Sequence, residues 1–90
     1  GQLAGTEWSP ELLFARGELY RARGNPRDLV EAVGFYRAAV TRDPTHAEAY
    51  RGLGLAQLRS DDSTGAAALR TYLTMKPAAD DAAMILTLIQ

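Results

Sequence analysis

The sequence predicts an all-α fold, on three observations. Sixteen of the 90 residues are alanine, the best helix former, and β-branched residues are few. Apolar residues recur at three- and four-residue spacing in five segments, and no segment alternates with period two over more than a few residues. Each segment is bounded by residues that start or stop helices.

Residues 1–8, with Gly1, Gly5 and Thr6 and no helical period, are expected to form a loose lead-in. Ser9 is placed to cap the first helix and Pro10 fits its first position. Trp8 and Leu13 have the spacing of a hydrophobic staple. Leu12, Leu13, Ala15, Leu19, Tyr20 and Ala22 then give one apolar face, and Gly24 ends the helix. Asn25 caps the second helix, with Pro26 at its first position and Asp28 as an acid in its first turn. That helix carries Leu29, Val30, Ala32, Val33, Tyr36, Ala39 and Val40 and stops before Asp43-Pro44, because proline disfavours helical backbone in its predecessor.

Thr45-His46-Ala47-Glu48 has the form of a capping box, with Thr45 as cap, for a third helix that runs to about Ser60. The turn Ser60-Asp61-Asp62-Ser63-Thr64 places acids at the start of a fourth helix, which ends before Pro77. A fifth starts near Asp80-Asp81 and carries Met84, Ile85, Leu86, Leu88 and Ile89. Five helices joined by turns of a few residues imply antiparallel neighbours.

Charge narrows the choice of partners. Ten basic residues against eleven acidic ones give a net charge of −1, and the arginines are scattered. Nucleic acids and acidic membranes need clustered positive charge, so neither is expected as a partner. Nine arginines to one lysine point to a GC-rich bacterial genome. Without cysteine there is no disulfide, thiolate nucleophile or thiolate metal site. No apolar run approaches the ~18 residues of a membrane span, so direct membrane insertion is not expected. The compartment stays open between the bacterial periplasm or envelope and the cytoplasm. The chain opens at Gly1 without a methionine, as a piece of something longer would.

No HExxH, GxSxG, Walker or GxGxxG pattern occurs. His46 lacks convergent partners and is expected to be a solvent-exposed turn residue. Gly52-Leu53-Gly54 falls inside a helix and reads as packing rather than as a phosphate loop. Asp61-Asp62 and Asp80-Asp81 are explained by the helix dipole, with no calcium-loop spacing. Neither catalysis nor a cofactor or metal is expected. Trp8, Tyr20, Tyr36, Tyr50 and Tyr72 fall at helical spacing and are expected in the core or in staples.

The segments also repeat. Leu13-Phe14-Ala15-Arg16-Gly17-Glu18-Leu19-Tyr20 returns as Tyr50-Arg51-Gly52-Leu53-Gly54-Leu55-Ala56-Gln57. The run 32–40 before Asp43-Pro44 is answered by the run 66–73 before Lys76-Pro77. This pattern resembles the tetratricopeptide repeat family over about residues 10–90. The resemblance implies a short solenoid of stacked antiparallel hairpins: repeat one at 10–44, repeat two at 45–77, and a capping helix at 78–90. Gly17, Gly54, Ala32 and Ala39 match the family's small residues at close helix approaches, and Pro44 and Pro77 match its closing proline. Gly17 to Gly54 is 37 residues and Pro44 to Pro77 is 33, against a usual period of 34. The excess is assigned to a first turn, Asn25-Pro26-Arg27-Asp28, about three residues too long. Gly65 stands where the family has alanine, at a cost of about 1 kcal/mol in helix propensity unless it lies near the helix start.

The function that the resemblance implies is protein–protein interaction, with a peptide or protein segment held in a concave groove lined by the first helix of each unit. The matching positions are Glu11, Phe14, Glu18 and Arg21 on helix one, Glu48, Arg51, Leu55 and Leu58 on helix three, and Met84 and Leu88 on helix five. Phe14, Glu18 and Leu55 stand where binders of chaperone tails have lysine or asparagine, which argues against that ligand. Two alternatives remain. Residues 17–24, 50–56 and 72–85 are similar to C-terminal repeat segments of some bacterial envelope proteins, some of which accompany zinc metallopeptidase domains; the chain would then be a non-catalytic regulatory domain. The third reading is self-association, or contact with a missing domain, through helix five, which is apolar nearly all round.

Overall fold

The computed structural model describes residues 8–90, and the lead-in assigned to residues 1–7 lies outside them. The described residues form five helices and no strand: α1 (Pro10–Arg23), α2 (Pro26–Arg42), α3 (Ala47–Arg59), α4 (Gly65–Met75) and α5 (Ala82–Ile89). Several boundaries follow from local chemistry. Ser9 Oγ accepts the Leu12 N–H at 3.1 Å and caps α1. Gly24 ends α1 at φ 76°, where a side chain would be strained, and its N–H donates to the Tyr20 carbonyl at 3.1 Å. The Asn25 N–H donates to Asp28 Oδ2 at 3.3 Å, and Asp28, buried in the turn, also faces Arg23 at 3.6 Å.

Other expectations are corrected. Thr45 does not cap α3. Its N–H and hydroxyl are both taken by Asp43 Oδ1, at 3.0 and 2.6 Å, so the helix begins one residue later. His46 becomes the cap, with Nδ1 accepting the Ala49 N–H at 3.2 Å. It is half-buried rather than a solvent-exposed turn residue, with its ring 5.0 Å from that of Phe14. The same device recurs before α4, where Asp62 Oδ1 accepts the Thr64 N–H and hydroxyl at 2.9 and 2.5 Å. Asp61 stands outside the helix at φ 61°, so the pair Asp61-Asp62 builds the turn rather than serving the α4 dipole.

The surplus length assigned to the first turn lies elsewhere. Only Gly24 and Asn25 separate α1 from α2, and the extra residues lengthen α2, which has 17 residues against 11 in α4. The added turn brings Leu29 into the core at 5% exposure.

Side-chain contacts show how the helices lie. Phe14, early in α1, meets His46 at the start of α3, while Arg59, at the end of α3, donates to the Arg21 carbonyl near the end of α1. The two helices therefore run side by side in the same direction. Tyr36 of α2 is fully buried between them. A Cβ at Gly17 would lie 2.8 Å from its ring and one at Gly52 2.3 Å, so glycine at both positions admits the ring. Leu13, Leu29, Ala32, Ala39, Ala49, Leu53 and Ala56 complete this core.

A second cluster joins α3, α4 and α5 through Ala47, Leu69, Tyr72 and Ile85. Here α3 and α4 nearly touch: a Cβ on Gly54 would stand 2.8 Å from the Gly65 carbonyl, and one on Gly65 2.6 Å from the Gly54 carbonyl. Gly65, the first residue of α4, is thus required by packing, and alanine there would push the helices apart.

On the outer side, Trp8 packs against the core cluster that contains Leu13 and also pairs with Phe35, the rings stacked at 6.0 Å and 6°. Tyr20 stacks on Phe35 at 5.5 Å, and the Arg16 guanidinium lies 5.4 Å from the Trp8 ring and 5.7 Å from that of Phe35. Trp8, expected at the end of the lead-in, belongs to the fold.

Candidate functional site

The face shared by α1, α3 and α5 carries the candidate residues. On α1, Glu18 and Arg21 are fixed by the buried tyrosine. The Tyr36 hydroxyl emerges between the helices and donates a short hydrogen bond to Glu18 Oε2. Arg21 Nε donates to the same hydroxyl at 2.9 Å, and Arg21 Nη2 reaches Glu18 at 3.0 Å. Burial, and then the bond to Glu18, push the Tyr36 hydroxyl well above its ordinary titration range. Phe14 packs its ring against Tyr36 at 6.1 Å and against His46.

Further along, Arg21, Leu55, Leu58, Arg59 and Leu88 line a cleft of about 410 Å³. Leu55 and Leu58 are half-buried, and Leu88 is 48% exposed. The cleft exists because α5 approaches α4 but leaves space beside the end of α3. Three leucines supply an apolar floor, and two guanidinium groups stand at its edge. Arg59 was missed from the sequence. It follows Leu55 by four residues, the spacing that places side chains on one helix face, and that spacing would have found it.

Glu48 and Arg51 fall outside that cleft, in a second, polar one of about 560 Å³. Arg51 is one of the residues expected to face a ligand in the groove. Instead its Nε lies 2.5 Å from Asp81 Oδ2, and the Tyr72 hydroxyl donates to Asp81 Oδ1 at 2.8 Å. Asp81 thus ties α3 and α4 to the start of α5, and its carboxylate gives α5 no side-chain cap. Asp81 does stand at the start of α5, but its carboxylate is engaged by Arg51 and Tyr72, an attachment that the helix-dipole account of Asp80-Asp81 did not include. The Arg51 hydrogen bond holds the Asp81 carboxyl below the usual range. Burial, followed by the bond to Asp81, pushes the Tyr72 hydroxyl up to about 12.

Glu11 is exposed and Met84 is 48% exposed, and neither lines the leucine cleft. On α5, Leu86 is also 48% exposed, while Ile85 is fully buried. Among the described residues, helix five, apolar nearly all round, is therefore covered on one side only. Among the described residues no helix is long and apolar enough to cross a membrane, and no group of three or more His, Asp or Glu side chains is placed to hold a metal ion. Compared with protein-family models, with curated proteins and with solved structures, the chain matches none.

Proposed function

We propose that the chain is a protein-binding module, built as a short stack of helical hairpins of the tetratricopeptide type, and that it takes a peptide or protein segment in the leucine cleft. The stacked arrangement is supported by α1 and α3 running side by side, and by glycines at the close helix approaches. The observation that carries the binding reading is the cleft itself. Arg21, Leu55, Leu58, Arg59 and Leu88 come from three helices that are distant in sequence, and together they make an apolar floor with a basic edge. A segment with one apolar anchor beside an acidic residue complements this surface. The reading assigns the chain no catalytic step.

The test is selection from a random peptide display library on the intact chain, followed by calorimetric titration of the enriched peptides. Enrichment of apolar residues flanked by Asp or Glu is expected. The double change Leu55→Ser and Leu88→Ser should abolish binding while the helical spectrum persists, and Arg37→Glu, on exposed α2 surface, should leave binding intact. Binding that ignores the double change overturns the assignment.

The exposed Met84, Leu86 and Leu88 favour a second reading, self-association through α5. A sedimentation mass of twice the chain that reverts to the monomer with Met84→Ser and Leu86→Ser would support it. A monomer at all concentrations would end it.

A further inference from the structure

We infer that a second recognition site, for a lysine side chain of a partner polypeptide, lies where α2 meets the α3–α4 turn, in a cleft that Gln57, Ser60 and Asp62 line together with Val30 and Val33. The cleft measures about 240 Å³ and shares no residue with the leucine cleft, so the inference stands apart from the groove reading.

The first observation is an unmet hydrogen bond. Gln57 is 3% exposed, and its Oε1 has no hydrogen-bond partner among the described residues. A buried acceptor costs free energy until a donor reaches it. The terminal amide torsion is soft, so the carbonyl can turn toward a donor that enters the cleft.

The second is the set of acceptors beside it. Ser60 Oγ donates to the Ala56 carbonyl at 3.1 Å, which leaves its lone pairs free. Asp62 uses only Oδ1 for Thr64, which leaves Oδ2 for a ligand. Those bonds from Thr64 hold the Asp62 carboxyl below its usual range, so it is charged at neutral pH. Three acceptors on three side chains match the three donors of an ammonium group. A guanidinium, with its planar fork, matches a single carboxylate better than three separate atoms.

The walls agree with this occupant. Val30 is 67% exposed, the most exposed large apolar side chain described, and with Val33 it offers apolar surface to the lysine stem. Asp61, held at φ 61°, lines the adjoining cleft with Val30, Ser60 and Arg59, so its charge is offset there by a guanidinium, and the negative charge offered to the lysine is that of Asp62, which also feels Arg37.

The probes are Nα-acetyl-lysine methylamide and its neutral counterpart, Nα-acetyl-norleucine methylamide, titrated into the whole chain and followed by ¹H–¹⁵N NMR. The lysine probe should give saturable shifts at residues 30, 33, 57, 60 and 62, and the norleucine probe should bind about tenfold more weakly, the size of one charge-assisted hydrogen bond. Gln57→Met removes the acceptor at similar length, and Asp62→Asn removes the charge while keeping Oδ1 for Thr64. Each should weaken the lysine probe about tenfold. The groove change Leu55→Ser with Leu88→Ser should leave the titration unchanged. Equal binding of the two probes, unchanged binding by Gln57→Met, shifts centred on Leu55 and Leu58, or no saturable shift would each overturn the site.

Discussion

Two glycine-to-alanine changes, chemically identical, should move stability in opposite directions. At Gly34, on the exposed side of α2, an added Cβ meets nothing within 4 Å among the described residues. Alanine there gains its helix propensity in full, about 1 kcal/mol. At Gly52 the same Cβ would lie 2.3 Å from Tyr36 Cε1 and Cζ. The ring cannot retreat, because the backbone of Gly17 closes its other side. Separating α1 from α3 around the ring falls at the upper end of overpacking costs, about 3 kcal/mol, which the propensity gain reduces to about 2 kcal/mol. For a domain of this size, 1 kcal/mol shifts Tm by about 4–8 °C. Gly34→Ala should therefore melt about 4–8 °C higher, and Gly52→Ala about 8–16 °C lower, by thermal unfolding followed with far-ultraviolet circular dichroism. Tyr36→Leu, destabilising by itself, should cost less in the Gly52→Ala background, since the smaller side chain vacates the contested space. A Gly52→Ala protein that melts at or above wild type would refute the account of Tyr36 as a ring clasped between two glycines.

Three further outcomes are expected. Asp81 has a folded pKa below its unfolded value, so the stability it contributes is present above about pH 4 and is lost as pH falls through the folded value; hydrogen exchange in 82–89 should rise on acidification, and Asp81→Asn should remove most of that dependence. Tyr36 and Tyr72 are shifted the other way, so their contribution is complete below about pH 10 and declines as pH rises beyond it; denaturant titrations should show stability falling above that pH, and less steeply in Tyr72→Phe. Ile85→Ala opens a cavity under α5 at a cost of about 2–5 kcal/mol, and because α5 rests on α4, exchange should accelerate in 82–89 while α1 and α2 keep their protection.

What could be read from the sequence divides by the range of the interaction concerned. Ser9, Gly24 and the halts before Pro44 and Pro77 act within a turn, and each appears where its chemistry places it. The close approach at Gly54 was legible because the repeat pairs it with Gly17. Gly65 stands at the start of α4, where the propensity cost is waived, but propensity knows nothing of the carbonyl on the next helix that makes glycine necessary there. His46 and Thr45 exchanged roles because Asp43 competes for the threonine hydroxyl, a choice between two local bonds that the capping pattern does not rank. Asp81 looked like a helix-start acid, and its partner Arg51 is 30 residues away. The candidate groove scattered for the same reason. Helical spacing aligns Arg51 with Leu55 on one face, but the position of α5 decides that one meets an acid and the other borders a cleft.

The arrangement around Tyr36 has a consequence for how this chain can change over time. Its ring sets the spacing of α1 and α3, and its hydroxyl orients Glu18 and Arg21, whose guanidinium stands at the edge of the leucine cleft. One side chain therefore couples the interior to the rim of the leucine cleft. Substitutions that drift neutrally in an ordinary core would here alter the charge presented outward. Under the proposed binding reading, variation in specificity should accordingly accumulate at Leu55, Leu58 and Leu88, which belong to the other cluster or to its edge, and sequences that abandon Tyr36 should replace Gly17, Gly52, Glu18 and Arg21 along with it.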